Sequence, residues 1–299
     1  ARGAVGAAGV GVPTFRSVAS EDAGSVACGY LVVYVDDFLI VGSDPFIEAA
    51  TAATKGKWET TDKPTLQYGS GQSVEYLSVD IAAVTGGYYL SQLVCARDLL
   101  SKWSMDVRRP IGSLEEVGDD TATEHAEPLA KDVRAAQRFA GGLNWLATRT
   151  RPDISFVVSQ LSSAATRAPL RAVALGKRCL RYLAGTREHG IHMSSGLHRL
   201  GGGPKLEAHG YASYEVGFAQ TGVLIKLNGN TIGWKSTKQT QVPRSTAEGE
   251  VTAMAYASQF LEGNTGLYHT KGGGGGGAMA AAARRRSERQ AELCSYASN

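Results

Sequence analysis

The sequence predicts an α+β fold in three parts, and three observations predict it. Short runs rich in β-branched and aromatic residues dominate residues 29–91. Three stretches with apolar residues at helical spacing follow between residues 131 and 187. Three further β-like runs and one more helical stretch occupy 206–263. The chain then divides into an N-terminal segment 1–26, a first β-rich part 27–110, an acidic linker 111–130, a helical module 131–200, a second β-rich part 205–263 and a tail 264–299.

The composition excludes several classes. Of 299 residues, 43% are apolar and 20% charged, ordinary values for a soluble globular protein. The net charge of +3 is too small by itself to imply a nucleic-acid partner. No apolar run approaches the roughly 18 residues that a membrane span needs. Cys28, Cys95, Cys179 and Cys294 are scattered with no C-x-x-C pair, which fits neither a disulfide framework nor a zinc site. An intracellular chain, in cytoplasm or nucleus and not secreted, is expected. The first Met is Met105, so a fragment, a processed product or the product of a faulty gene model is expected. Residues 1–26 are expected to be disordered or to come from a faulty gene model; the Arg-containing, acid-free opening 1–20 has no amphipathic pattern of a targeting peptide.

The first β-rich part opens with "GYLVVYVDDFLIVGSD", Gly29 to Asp44. Leu31–Val35 and Phe38–Val41 read as two strands of a hairpin around Asp36 and Asp37. Carboxylates are costly to bury without a partner, so the turn should lift them to the rim of the sheet. There they can hold a cation, since Mg²⁺ takes one or two carboxylates plus substrate phosphates. Aspartates are also common in surface turns with no metal at all. After "TAATKGKWET" come two β-like runs, "SVEYLSVDIAAV" and "GGYYLSQL", with Gly86-Gly87 as the turn between them. In "LVCARDLLSKWSMD" the residues Val94, Leu99, Leu100 and Trp103 share a helical face. Residues 111–128 are acidic and aperiodic.

The helical module contains three helices. Val133, Ala136, Ala140, Leu143 and Ala147 mark the first. The second starts at "RPDI", with Pro152 in its first turn and Ile154, Val157, Val158 and Leu161 as its stripe. The third runs from Leu170 to Leu183, with Gly185 as its C-terminal cap. From Lys131 to Arg187 there are eleven basic residues against two acids, a net +9 in a chain whose total is +3. That asymmetry points to a polyanion partner, with Arg134, Arg138, Arg149, Arg151, Lys177, Arg178 and Arg181 as the nucleic-acid-binding candidates. A solvated basic face is the bland alternative.

In the second β-rich part, "ASYEVGFAQ", "TGVLIKLNG" and "NTIGWKSTKQT" read as consecutive strands, with Asn228–Asn230 as a hairpin turn. "STAEGEVTAMAYASQFLEG" reads as a helix with a Ser245/Glu248 capping-box spacing. The tail's six consecutive glycines cannot pack a core, and disorder is expected there. His189, His192 and His209 lack metal-ligand spacing and are expected to be surface or half-buried. Trp103, Trp145 and Trp234 are expected in the core.

Several of these motifs, in this order, resemble the Pol polyprotein of copia-type LTR retrotransposons. "YVDD" inside an apolar hairpin resembles the reverse transcriptase active-site motif. "VEYLSVDI", "GYYLSQ", "ARDLLSKWSM", "LNWLATRTRPDISFVVSQLS", "CLRYLAGTREHGI" and "QTGVLIKLNGNTIGWKSTKQTQVPRSTAEGE" resemble successive segments of the same family. The resemblance covers roughly residues 29–263. It implies a reverse transcriptase palm remnant, a helical thumb and connection module and a truncated ribonuclease H-like domain. It implies an RNA-directed DNA polymerase with ribonuclease H by descent, using Mg²⁺, an RNA template, a DNA primer, deoxynucleoside triphosphates and an RNA–DNA hybrid. By the same resemblance Asp36 and Asp37 are the metal-binding catalytic pair, Tyr34 stands near the primer terminus, and Glu248 is a ribonuclease H ligand.

The pattern also breaks. The family's polymerase needs a third aspartate from an earlier palm strand, and before Gly29 the only acids are Glu21 and Asp22. The family's Y-x-D-A strand is here "GYASYEVG", as if two residues had gone between Ala212 and Ser213, and Glu215 sits two residues out of place. No strand carrying the third ribonuclease H ligand follows the last helix. The expected activity of the chain itself is therefore incomplete, and a degenerate, non-enzymatic transposon remnant with residual nucleic-acid binding is the alternative.

Overall fold

In the computed structural model, residues 29–105, 108–114, 129–195, 205–215 and 218–265 are described, with the backbone alone at 14–17, 214–215, 218 and 263–265. They form a mixed α+β protein of antiparallel sheets and helices, in two compact units divided between Pro64 and Thr65. The proposed linker residues 115–128 and tail residues 266–299 lie outside the described residues.

The first unit is a three-stranded antiparallel sheet of β1 (Thr14–Ser17), β2 (Gly29–Tyr34) and β3 (Asp37–Gly42), in that order, with helix α1 (Asp44–Lys55). Strand β1 falls within the segment expected to be disordered, and its backbone pairs Thr14 with Val33 through Ser17 with Tyr30. Helix α1 is absent from the sequence expectation, yet its signals are present: Ser43 precedes it, Pro45 sits in its first turn, and alanines fill its middle. Gly29 is required because a Cβ there would lie 2.2 Å from the ring of the buried Phe46.

The second unit begins with β4 (Ser73–Tyr76), β5 (Val79–Val84), β6 (Gly87–Ser91) and α2 (Leu93–Lys102). "SVEYLSVDIAAV" is thus two strands, not one. Leu77 and Ser78 adopt φ of 51° and 60° and close a tight hairpin without the usual Asn or Gly. The next turn is Thr85-Gly86, with Val84 paired to Gly87. In α2 the buried residues are Ala96 and Leu100, whereas Val94 is exposed.

The helical module follows expectation closely. Helix α3 (Ala130–Arg149) buries Ala136, Phe139, Leu143, Leu146 and Ala147. A 3-10 turn at Pro152–Ile154 leads into α4 (Ser155–Ala164), which buries Val157, Val158 and Leu161. Helix α5 (Pro169–Thr186) runs through Gly185, which is therefore not a cap; a Cβ there would meet the Pro110 side chain at 3.1 Å. The core centres on Phe139, which stacks on Trp103 with ring centroids 3.8 Å apart. Gly176 of α5 admits that ring, since a Cβ there would lie 2.6 Å from it. Truncating such a buried Phe costs about 3–5 kcal/mol.

After the helices, β7 (Ile191–Ser194) returns to pair with β6, giving a sheet of order β4-β5-β6-β7. The chain closes with the meander β8 (Leu206–Glu215), β9 (Phe218–Leu227) and β10 (Asn230–Lys238) and helix α6 (Thr246–Thr265). One face of the meander is covered by α6, where Gly210 lets the helix approach: a Cβ there would stand 2.8 Å from the Ala253 carbonyl oxygen. Its other face meets α4 at β10, where Trp234 Nε1 donates to the Ala147 carbonyl at 2.6 Å. Among the described residues no helix is long and apolar enough to cross a membrane.

Candidate functional site

The aspartate pair is presented by a two-residue hairpin. Tyr34 pairs with Asp37 as the last rung of β2 and β3, so Val35 and Asp36 form the turn. Val35 has φ of 53° and is 84% exposed, while Asp36 is not left-handed. A left-handed first position is what a type II′ hairpin turn requires, and it normally carries Gly. A β-branched residue there is an outlier of the kind found at functional sites. The turn leaves Asp36 and Asp37 exposed side by side and Tyr34 half-buried across from Asp37. Next to the pair, Phe38 packs on Trp58 at 5.6 Å, and the Lys57 ammonium stands 6.0 Å from the Trp58 ring. Two adjacent carboxylates suit one Mg²⁺ whose remaining positions go to water or phosphate oxygens. Among the described residues no group of three or more His, Cys, Asp or Glu side chains is placed to hold a metal. Among the described residues the pair is not completed into a two-metal clamp.

The cations of the helical module divide into two groups. Lys131, Arg134 and Arg138 are exposed on α3, and Gly141, Trp145 and Arg149 continue the same stripe at helical spacing. The Arg149 guanidinium lies 4.7 Å from the centre of the Trp145 ring, and Trp145 is 36% exposed, so it is not a core residue as expected. Lys177 on α5 is also exposed. Arg151 is a correction. Its side chain is buried, held by Asp153 at 2.7–3.2 Å and by the carbonyl and hydroxyl of Thr186 at 2.8 Å, so it cannot reach a surface ligand. Burial alone would raise the Asp153 carboxyl, but the hydrogen bonds and charge of Arg151 prevail and hold it below the ordinary range. Arg178 is half-buried with its Nε shut away from solvent, and Arg181 Nε donates to the Arg109 carbonyl at 3.0 Å. These two are tied to the helical core rather than presented freely.

At the start of α6, the Glu248 N–H donates to Ser245 Oγ at 3.2 Å, and the Glu248 carboxylate accepts from the Arg244 N–H at 2.5 Å. The capping arrangement is formed. The carboxylate that turns to β8 is Glu250, which accepts from the Ala212 N–H at 3.3 Å. Ala212 faces Gly249, whose Cβ would meet it at 3.7 Å. Strand alternation sends Tyr211, 66% exposed, and Ser213 to the opposite face. Glu250 was not legible as a β8-facing acid, because that requires the register of helix against sheet. The side chain of Glu215 lies outside the described residues. His189 and His192 are exposed and His209 half-buried.

The chain is a mixed α+β protein of antiparallel sheets and helices that presents an exposed aspartate-pair hairpin and a helix face rich in cations. The particular family follows from its relatives: the chain belongs to the Pol polyprotein family of copia-type retrotransposons. It is 30% identical over 243 residues to the retrovirus-related Pol polyprotein from transposon RE1 of Arabidopsis thaliana, which covers 78% of this chain but 15% of that polyprotein. It is 27% identical over 234 residues to an uncharacterized mitochondrial protein of the same plant, covering 76% of this chain and 90% of that one. A secreted RxLR effector protein of Plasmopara viticola is 36% identical over 121 residues, 40% of this chain and 83% of the effector. No protein-family model matches the chain.

Proposed function

We propose that the chain descends from the reverse transcriptase and ribonuclease H region of a copia-type element and keeps a nucleic-acid grip. In this reading residues 27–110 correspond to part of the palm, 131–200 to the thumb and connection module, and 205–263 to part of a ribonuclease H-like domain. The observation that carries it is the α3 stripe: Lys131, Arg134, Arg138 and Arg149 on one face, with Trp145 exposed among them and a glycine at its middle. Cations fix phosphates, an exposed indole can stack on sugar or base, and Gly141 leaves room for a backbone to approach. Its partners are an RNA template, a DNA primer and their hybrid. Mg²⁺ at Asp36 and Asp37 would neutralise a nucleotide's phosphates. These residues supply the two carboxylates, and Tyr34 borders the turn, where it would meet a primer end.

The second reading, a remnant with no enzymatic activity, is favoured by a specific observation: Glu248 is engaged in capping α6, and the β8 residue that faces the start of that helix is Ala212, which carries no acid. The test of the grip is fluorescence anisotropy with a labelled RNA–DNA hybrid over a series of salt concentrations. Log affinity should fall with log salt by about 0.9 per phosphate neutralised. Arg134→Glu with Arg138→Glu should weaken binding well beyond Arg187→Glu, and a flat salt dependence overturns the proposal.

A further inference from the structure

We infer that the groove between α4 and β10 holds the sugar–phosphate backbone of one nucleic-acid strand, as a continuation of the α3 stripe; this rests on the nucleic-acid grip proposed above.

The groove has a volume of about 400 Å³, within the usual span for small-ligand sites of about 300–1,000 Å³. One wall is α4 with the adjoining edge of α3; the other is Trp234–Lys238 of β10. The α4 wall is unusual in its chemistry. Ser155, Ser159, Ser162 and Ser163 fall on one side of a helix that has no charged residue, and Val157 and Leu161 are buried on the other. A merely solvated helix face carries long charged side chains. A serine stripe instead lets a ligand come close to the helix; the hydroxyls of Ser155 and Ser163 donate to the Ala147 and Ser159 carbonyls, which leaves those of Ser159 and Ser162 to donate to a ligand. No carboxylate lines the groove, and two lysines do. The backbone of Lys235 borders the groove, but its ammonium turns to the other face of the sheet, over the Tyr256 ring of α6 at 5.4 Å, which leaves Lys238 as the cation on the groove side. Lys238 alternates with Trp234 and Ser236 toward the α4 side.

The walls are held apart by fixed polar contacts. Gln220, 5% exposed, donates to Ser159 Oγ at 2.8 Å and to Ser236 Oγ at 2.9 Å, bridging the two walls beneath the groove. Trp234 Nε1 pins β10 to the end of α3. The site is therefore preformed, which lowers the ordering cost of binding. Hydroxyls, an asparagine amide and lysine ammonium groups are the donors that proteins direct at phosphate and sugar oxygens. Continuity with the stripe is direct: Asn144 and Thr148, which line the groove, neighbour Trp145 and Arg149 on α3. A strand lying along α3 would thus pass from its cations directly into the groove.

The experiment uses the full chain and a fluorescein-labelled RNA–DNA hybrid. Affinity and salt slope are measured for the unmodified chain, for Ser162→Glu, for Lys238→Glu and for Arg134→Glu with Arg138→Glu. In parallel, a photoreactive benzoylphenylalanine replaces Ser162, so that occupancy is read without relying on how a charge-reversal variant folds. Lys238→Glu should weaken binding and lower the salt slope by about 1, and Ser162→Glu should weaken it about tenfold or more by setting a carboxylate against the backbone. The benzoylphenylalanine should cross-link to the hybrid. Binding that falls only in the α3 variant, with no cross-link at position 162, overturns the groove and leaves the stripe standing. Absence of salt-dependent binding by the unmodified chain overturns both. A cross-link to a free mononucleotide competitor but not to the hybrid overturns the strand assignment.

Discussion

The side chain of Asn230 forms a two-point clasp on the backbone of Ser194. The Ser194 N–H donates to Asn230 Oδ1 at 2.7 Å, and Asn230 Nδ2 donates to the Ser194 carbonyl at 3.0 Å. A carboxamide here copies what a neighbouring strand's peptide would do. It ties the end of β7, at the edge of the four-stranded sheet, to the start of β10 beside the Asn228-Gly229 turn. One polar side chain thus joins the helical module's sheet to the meander that forms one wall of the groove.

Asn230→Ala should therefore destabilise the second unit by about 2 kcal/mol, the cost of two lost bonds and two half-buried backbone groups left to find water. Asn230→Asp keeps the acceptor and loses the donor, and should cost less. Urea denaturation followed by tryptophan fluorescence reads both, and an unchanged midpoint for Asn230→Ala would remove the clasp from the list of stabilising contacts.

The Arg151–Asp153 pair predicts a pH dependence. Asp153 is held below the ordinary carboxylate range in the fold, because Arg151 outweighs the effect of burial. Its unfolded value is higher, so its contribution is fully present above the ordinary range and is lost as pH falls through the folded value. Asp153→Asn should cost about 3 kcal/mol at neutral pH by leaving the buried Arg151 guanidinium uncompensated. The same variant should show a flatter stability profile below pH 4 than the unmodified chain. Equal acid profiles for the two would place the acid sensitivity elsewhere.

The first unit carries strain at Val35, whose φ is 53°. Val35→Gly should stabilise the β2–β3 hairpin by about 0.5–1 kcal/mol, the left-handed penalty for a side chain less the entropy a glycine adds to the unfolded chain. Hydrogen exchange of the Val32 and Leu39 amides measures this locally. Faster exchange in Val35→Gly would show that the valine side chain, though 84% exposed, supports the turn.

What was legible in the sequence was what short-range patterns encode. Ile154, Val157, Val158 and Leu161 announce the face of α4 because a helix repeats within a few residues, and all four are buried. The lifting of Asp36 and Asp37 to a hairpin tip was legible because two apolar strands of matched length leave only the turn for the charges. What was hidden depends on distant partners. Arg151 reads as one more surface cation until Thr186, 35 residues on, supplies its carbonyl and hydroxyl. Gly185 reads as a cap, but Pro110 from another segment claims the space of its side chain. The Leu77-Ser78 hairpin carries no turn signal at all, and the pairing of β4 with β5 imposes two left-handed residues there. The groove of α4 and β10 brings together serines and a strand some eighty residues apart, a relationship no local pattern contains.

Two-metal hydrolysis of an RNA strand needs several carboxylates converging on one spot, because each ion must be held while it activates water or steadies the leaving oxygen. In this chain Glu248 is occupied at the start of α6 with Arg244 and Ser245. The neighbouring acid, Glu250, bonds the backbone of Ala212, and Ala212 brings no oxygen of its own side chain. Tyr211 and Ser213 point to the other face of the strand, away from both glutamates. The capping role and the catalytic role then separate experimentally. Ser245→Ala should destabilise the chain by about 1 kcal/mol through loss of the cap. Glu248→Gln, which retains a capping side chain, should leave the melting temperature nearly unchanged. Neither the unmodified chain nor either variant should cleave an RNA–DNA hybrid with Mg²⁺ or Mn²⁺. Ala212→Asp would set one acid beside Glu250 and Glu248 and is the substitution best placed to restore metal binding at that corner, readable by calorimetric titration with Mn²⁺. Metal-dependent cleavage by the unmodified chain that disappears in Glu248→Gln would show that Glu248 leaves its cap to do chemistry, and would overturn the remnant reading.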